Sequence, residues 1–330
     1  MSKAGAMKRA AIFGAIAVGL LVLIGWFAVA AISGGRSAPG TPTLTPDPED
    51  VLQATQTYQS NTAWTPVIEE FDGVEMVLVP AGCFQMGSTD EQIEALIQAC
   101  ESKWGAENCE RSLDEDEGPQ HLVCFSAPYW LDRYEVSQGQ FEQFGGQAAA
   151  APEFPGNILP RENIRWREAH DHCEQRGARL PTEAEWEYTA RGPDGRVYPW
   201  GNMFECNRGN FDDETKEDSG VIEGGAGCDG FDTTSPVGSF PAGASWVGAL
   251  DMSGNVSEWV SSIYQPYPYS GTDGRESNSD TSSARVFRGG SWLFPKASIF
   301  RAADRGFAYP GSISDGFLDL GFRCARSTEG

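Results

Sequence analysis

The longest apolar run stands at the start of the chain, where no charged or strongly polar side chain occurs between Ala10 and Ile32. At about 1.5 Å rise per residue, a helix of that length crosses a bilayer core. Lys3, Lys8 and Arg9 precede it, which predicts a cytoplasmic N-terminus over 1–9, a transmembrane anchor over 10–32 and export of the chain beyond Ile32. Ala28-Val29-Ala30 offers a small-x-small site, so secretion after signal cleavage is the alternative. The run is longer than the roughly 7–15 apolar residues of a signal peptide, which favours the anchor. Residues 33–70 include the Pro/Thr-rich stretch Ala38-Pro-Gly-Thr-Pro-Thr-Leu-Thr-Pro-Asp-Pro48. Too few apolar positions recur there to offset the cost of ordering the chain, and the segment is expected to be a linker.

Regular patterning is expected from Phe71 to Arg326. Met76-Val-Leu-Val-Pro-Ala-Gly-Cys-Phe-Gln-Met-Gly87 is β-rich and predicts two short strands around a Pro-Ala-Gly turn. Ile93, Leu96 and Ile97 have helical spacing within Glu91 to Cys100. An acidic loop beginning at Asp114 comes next, then a strand pair between His121 and Tyr134. Ser137-Gln-Gly-Gln140 and Thr182-Glu-Ala-Glu185 are capping-box patterns. They open helices carrying Phe141 with Phe144 and Trp186 with Tyr188. Trp166, Ala169 and Cys173 share a face of another helix; Arg165 is a poor N-cap for it, which leaves Asn163 as the expected cap. Beyond Pro199-Trp-Gly201 the pattern is one of loops, turns and short strands, without an internal repeat.

Composition sharpens this picture. The 330 residues include 39 glycines and 20 prolines, scattered without period, which suits a loop-rich globular domain. The net charge is −23, and the four basic residues before Ser37 leave 20 basic against 47 acidic side chains in the remainder. Such a surface repels phosphate backbones, so nucleic acid is not an expected partner, whereas divalent cations and basic protein surfaces are compatible with it. Eight cysteines in an exported domain are expected to be disulfides.

Seven segments recur in a telling order: Gly82-Cys-Phe-Gln-Met-Gly87, Tyr134-Glu-Val-Ser137, Arg179-Leu-Pro-Thr-Glu-Ala-Glu-Trp-Glu-Tyr188, Tyr198-Pro-Trp-Gly-Asn202, Gly254-Asn-Val-Ser-Glu-Trp259, Arg288-Gly-Gly-Ser-Trp292 and Gly321-Phe-Arg-Cys324. Together they resemble the formylglycine-generating enzyme, or sulfatase-modifying factor, family over roughly Phe71 to Arg326. The resemblance implies an α+β fold, a loop-rich variant of the C-type lectin. It also implies oxidation of a sulfatase cysteine to formylglycine by molecular oxygen and a copper ion held between two thiolates, soft ligands suited to Cu(I). The positions matching those two cysteines are Phe294 and Ile299, which cannot ligate copper. No cysteine lies between Cys228 and Cys324 to replace them. Ser291, matching a serine that lines the family's substrate site, is retained.

The same resemblance implies two structural calcium sites, the first at Asp251, Gly254, Val256 and Glu258 and the second at Asn210, Phe211, Asp229 and Phe231. Carboxylates and carbonyls on tight turns are the hard oxygen ligands that Ca²⁺ takes. The alternative is that Asp251 and Glu258 only stabilise a turn and a helix start. Asn255-Val-Ser257 fits an N-glycosylation pattern but lies inside this loop. A disulfide between Cys173 and Cys324 is implied by the resemblance; proximity adds Cys100–Cys109 and Cys206–Cys228, leaving Cys83–Cys124, for which two reduced, buried thiols are the alternative. An iron-dependent branch of the superfamily takes its ligands from a helical domain missing here. His121, His170 and His172 are therefore expected to be solvent-exposed or hydrogen-bonded. Arg288, Arg301, Arg305 and Arg323 are expected in internal ion pairs rather than on a carboxylate ligand.

The functional expectation is a membrane-tethered, non-catalytic module that recognises a protein or small-molecule ligand outside the cell. Loops of this fold change without disturbing the core. Phe294, Lys296, Phe307, Tyr309 and Phe317 are candidate surface residues. Tyr264, Tyr267 and Tyr269 form either a recognition edge or a loop packed on the core. The alternatives are a protein-modifying oxidoreductase of the formylglycine-generating type and a structural subunit of a cell-envelope assembly.

Overall fold

The computed structural model describes residues 61–105, 109, 115–213, 227–310 and 317–328. The expected anchor over 10–32 lies outside the described residues, as does the linker up to residue 60. Among the described residues, no helix is long and apolar enough to cross a membrane.

The fold is mixed helix and sheet. Strands β1 (Ile68–Phe71), β2 (Val74–Val79), β5 (Tyr129–Asp132) and β10 (Ala325–Ser327) make a four-stranded sheet in the order β1-β2-β5-β10. Its neighbouring pairs are all antiparallel. β3 (Gly82–Met86) and β4 (His121–Phe125) form a separate antiparallel pair. A second four-stranded sheet has the order β8 (Gly306–Ala308), β7 (Arg285–Arg288), β6 (Ser257–Ile263), β9 (Leu320–Phe322), with β6 and β9 parallel. The strands expected between His121 and Tyr134 exist, but they do not pair with each other: β4 joins β3, and β5 joins β2 and β10.

Among the described residues there are four α-helices, α1 (Asp90–Trp104), α2 (Gln138–Gln143), α3 (Trp166–Gln175) and α4 (Glu183–Arg191). Thr89, Ser137 and Thr182 close complete capping boxes with Gln92, Gln140 and Glu185, which satisfies the first free N–H groups of each helix. At α3 the expected cap fails. Arg165 is the N-cap residue and Glu168 reaches back to its N–H at 2.9 Å, while Asn163 adopts φ 55° and donates its amide to Ala151.

All nine residues of α4 are buried. Trp186 and Tyr188 enter the main core with Val77, Leu131, Val260 and Val286. A helix this polar stays buried because its acids are compensated: Glu185 by Arg179, Glu187 by Arg191 and Glu183 by Arg288 and Arg305. A second core gathers Trp166, Trp259 and Phe322 around Cys173–Cys324.

The boundary expected at Phe71 is too late. Asn61 is buried and donates its amide to the Ala81 carbonyl and the Tyr188 hydroxyl, each at 3.0 Å, and β1 begins at Ile68. β1 contributes an edge of backbone hydrogen bonds rather than apolar area, so its polarity hides it from a hydrophobicity pattern.

Candidate functional site

After β7 the backbone turns sharply through Gly289 (φ 98°) and Gly290 (φ 67°). Any side chain at Gly290 would put its Cβ 2.7 Å from the Phe300 ring, so only glycine allows this approach. The turn delivers Ser291 into a fully buried position, where its hydroxyl donates to Asp319 at 2.8 Å. Phe294 comes next, packed on the aromatic group of Tyr198, Phe211 and Phe300, and Ile299 sits on a single 3₁₀ turn, Ala297–Phe300. Phe294 and Ile299, the two expected copper positions, line one cavity of about 580 Å³. Leu96 and Cys100 of α1 form another part of its wall, with Phe287, Phe307 and Asp304.

All eight cysteines are consumed by disulfides: Cys83–Cys124, Cys100–Cys109, Cys173–Cys324 and Cys206–Cys228. No free cysteine remains, and the one that borders the cavity, Cys100, is bonded to Cys109. Nothing at this site can supply a thiolate.

The first loop expected to hold calcium is tightly wound, with Asp251, Gly254 and Asn255 all at positive φ. A Cβ at Gly254 would lie 2.4 Å from the Asn210 carbonyl oxygen. Asp251 is buried; one carboxylate oxygen accepts the Gly238 N–H, and Oδ1 has no partner. Glu258 does not share that freedom. Arg323 grips both of its oxygens, at 2.6 and 2.7 Å, and Trp186 donates to it at 2.7 Å. The structure instead sets Glu135 beside Asp251, with Oε2 buried and unpartnered. Burial first, and then the Asp251 charge, pushes the Glu135 carboxyl well above the ordinary range; burial likewise raises Asp251. The two carboxyls lie within hydrogen-bond reach of each other, so either a shared proton or a hard cation would relieve the pair. Glu135 lies within Tyr134-Glu-Val-Ser137, but that segment carries no ligand spacing to Asp251, so the sequence does not single it out.

The second loop is brought together by Asp229, whose two oxygens accept the N–H groups of Phe211 and Phe231, each at 2.8 Å. Asn210 Oδ1 is buried without a partner. Burial, with Asp213 and Asp212 adding, pushes the Asp229 carboxyl up to about 6. The two loops touch: the Asn255 N–H donates to the Asn210 carbonyl at 2.8 Å and the Asn210 amide to Asn255 Oδ1 at 3.1 Å. Because the Asn255 amide is buried and bonded to Asn210, Glu135 and Ser235, it is not an exposed glycosylation acceptor.

The expectation for the histidines needs correction at His172. Its ring is buried among Phe141, Phe144 and Phe322, neither nitrogen has a partner, and burial lowers it to about 3. His170 is also buried, against Trp166, with Asp171 beside Nδ1 at 3.2 Å. His121 accepts the Tyr269 N–H at 2.7 Å. The arginines are internal: Arg301 pairs with Glu117, Arg288 and Arg305 with Glu183, and Arg323 with Glu258. The tyrosine insertion packs on the core, with Tyr267 buried and its hydroxyl accepting from Arg288. Phe307 and Tyr309 are exposed, and Phe307 stacks on Tyr264 at 4.3 Å.

The sequence model of the sulfatase-modifying factor enzyme 1-like domain matches residues 65–328. A mouse protein named inactive C-alpha-formylglycine-generating enzyme 2 is 40% identical over 171 residues, spanning 51% of this chain and 49% of its own. The chain thus spans about half the length of that relative. The mouse formylglycine-generating enzyme is 30% identical over 312 residues, spanning 76% of this chain and 74% of its own. Among solved structures, PvdO from Pseudomonas aeruginosa superposes with a TM-score of 0.55 at 27% identity, covering 80% of this chain and 100% of its own.

Proposed function

This chain belongs to the sulfatase-modifying factor family, and from that membership we propose that it is a non-catalytic recognition module that has given up copper chemistry. One observation carries the reading: every cysteine is in a disulfide, and the two positions that would hold copper are Phe294 and Ile299. A linear Cu(I) site needs two thiolates, and neither replacement has a donor atom. The residues present do not fit copper. Ser291 supports the same reading, since its hydroxyl is buried and committed to Asp319. What remains at the site is an apolar-walled cavity, a form suited to holding a ligand.

The module is displayed outside the cytoplasm on the 10–32 anchor, on a loop-rich scaffold of the lectin-like kind. Four disulfides support an oxidising compartment. Calcium braces the two clasped loops, held by Glu135 and Asp251 in the first and by Asn210 and Asp229 in the second. The oxidoreductase alternative draws on the longer match to the mouse formylglycine-generating enzyme, but it lacks a thiolate.

A Cu(I) titration against a chromogenic chelator, run beside a thiol count on the unfolded, unreduced full chain, tests the proposal. The expected result is no reactive thiol and no copper withdrawn from the chelator. Stoichiometric Cu(I) capture would overturn it.

A further inference from the structure

The cavity at Phe294 and Ile299 has one feature that its walls do not satisfy. Asp304 lines it, and among the described residues its carboxylate makes no hydrogen bond or ion pair. The arginines around it are already matched. Arg301 pairs with Glu117, Arg305 with Glu183, and Arg288 with Glu183 at 2.7 Å and Glu187 at 3.0 Å. Arg288 does reach Asp304, but it donates to the backbone carbonyl, at 3.1 Å. Lys296, which also lines the cavity, has another partner. Arg288 and Arg305 line the same cavity, and the charges of Arg301 and Arg288 reach Asp304, but none of them forms an ion pair with its carboxylate. Burial, and after it the charge of Glu117, pushes its carboxyl well above the ordinary range, and the nearby charges of Arg301 and Arg288 offset only part of this. The apolar part of the wall is made by Leu96, Phe287, Phe294, Ile299 and Phe307. Its three phenylalanine rings supply apolar area for the body of a ligand.

We propose that this cavity binds a small organic amine with an apolar body, its ammonium on Asp304 and its body against Phe294, Ile299 and Phe307. The inference rests on the reading of the site as a recognition pocket and names the chemistry of its ligand. The volume, about 580 Å³, is within the range of small-molecule sites. A family copper site would set two thiolates where Phe294 and Ile299 stand; their replacement by apolar side chains leaves Asp304 as the group that orients a ligand.

The test is calorimetric titration of the purified full chain with 2-phenylethylamine, and with phenylacetate as the body of similar size and opposite charge. Saturable binding of the amine and none of phenylacetate is expected. Asp304→Asn, of nearly the same shape, should weaken amine binding about tenfold or more, the loss expected for a charge-assisted hydrogen bond. Ile299→Trp, which fills the chamber from its apolar wall, should abolish it, so the proposal stays testable even if the Asp304 variant fails to fold. No saturable amine binding, equal binding of phenylacetate, or undiminished binding by folded Asp304→Asn would each overturn the inference. Aldehyde formation on a cysteine peptide would instead defeat the non-catalytic reading and leave the amine result standing, so the two failures are distinguishable.

Discussion

Replacing Glu183 by glutamine removes one charge from the most deeply buried ion-pair network in the described structure while keeping the shape of the side chain. Glu183 is fully buried and accepts from Arg305 Nε at 2.6 Å and from Arg288 Nη2 at 2.7 Å. Those two guanidiniums hold its carboxyl down at about 2 even though burial alone would raise it. Arg288 keeps Glu187 after the substitution, but Arg305 loses its ion-pair partner and is left with neutral acceptors, among them the carbonyls of Asp116 and Gln265, and the faces of Tyr264 and Tyr267. Breaking a buried pair on one side costs about 3–5 kcal/mol. Linkage gives a similar size independently: the gap between the ordinary 4.5 and about 2, at about 1.4 kcal/mol per pH unit, is roughly 3 kcal/mol. The folded value lies below the unfolded one, so this stability is present above pH 4.5 and is lost as pH falls toward 2. Urea unfolding of the disulfide-intact full chain, followed by tryptophan fluorescence, should show Glu183→Gln less stable by about 3 kcal/mol near neutral pH. By about pH 3 the gap should shrink to roughly 1.4 kcal/mol, because the parent protein is itself losing the charge. A gap that does not narrow on acidification, or one below about 1 kcal/mol at neutral pH, would rule out a stabilising role for this charge.

His172 predicts acid sensitivity of another origin. Its folded value, about 3, lies below the ordinary 6.5, so the unfolded chain takes up the proton first and stability falls as pH drops below 6.5. The loss should reach roughly 2 kcal/mol by about pH 5, and His172→Phe should abolish that part of the slope in parallel unfolding titrations. For the loops clasped by Asn210 and Asn255, calcium should raise the melting temperature and a chelator should lower it. At a hundredfold excess over the dissociation constant, the gain is about 2.7 kcal/mol. Asp251→Asn and Glu135→Gln should each remove the first site's share of the calcium-dependent increment and leave that of the Asn210–Asp229 site; a melting curve indifferent to calcium would contradict the assignment.

Local rules reach some parts of the molecule and not others. Ser137 and Thr182 announce their helices because a capping box is a short-range pattern whose partners lie three residues apart. The cysteine pairs are legible from proximity and from the resemblance, and the structure forms the same four. Asn163 misleads because capping propensity takes no account of the Glu168 side chain, which reaches back to Arg165. β6 escapes for a different reason: all seven of its residues are buried, between β7 and β9, so Ser257, Glu258, Ser261 and Ser262 break the expected alternation. Glu135 and Asp304 are invisible as functional residues because each acquires its meaning only from distant neighbours, Asp251 in one case and the wall of α1 and β7 in the other. Burial of His172 likewise depends on Phe322, which arrives from the far end of the chain.

The proposed loss of copper chemistry at Phe294 and Ile299 is open to one direct measurement. The full chain is incubated with copper, oxygen and a Cys-x-Pro-x-Arg peptide, and the peptide cysteine is followed by mass spectrometry. An unmodified cysteine at every time point is expected; conversion of that cysteine to the formylglycine aldehyde, dependent on the protein, would contradict the loss of catalysis.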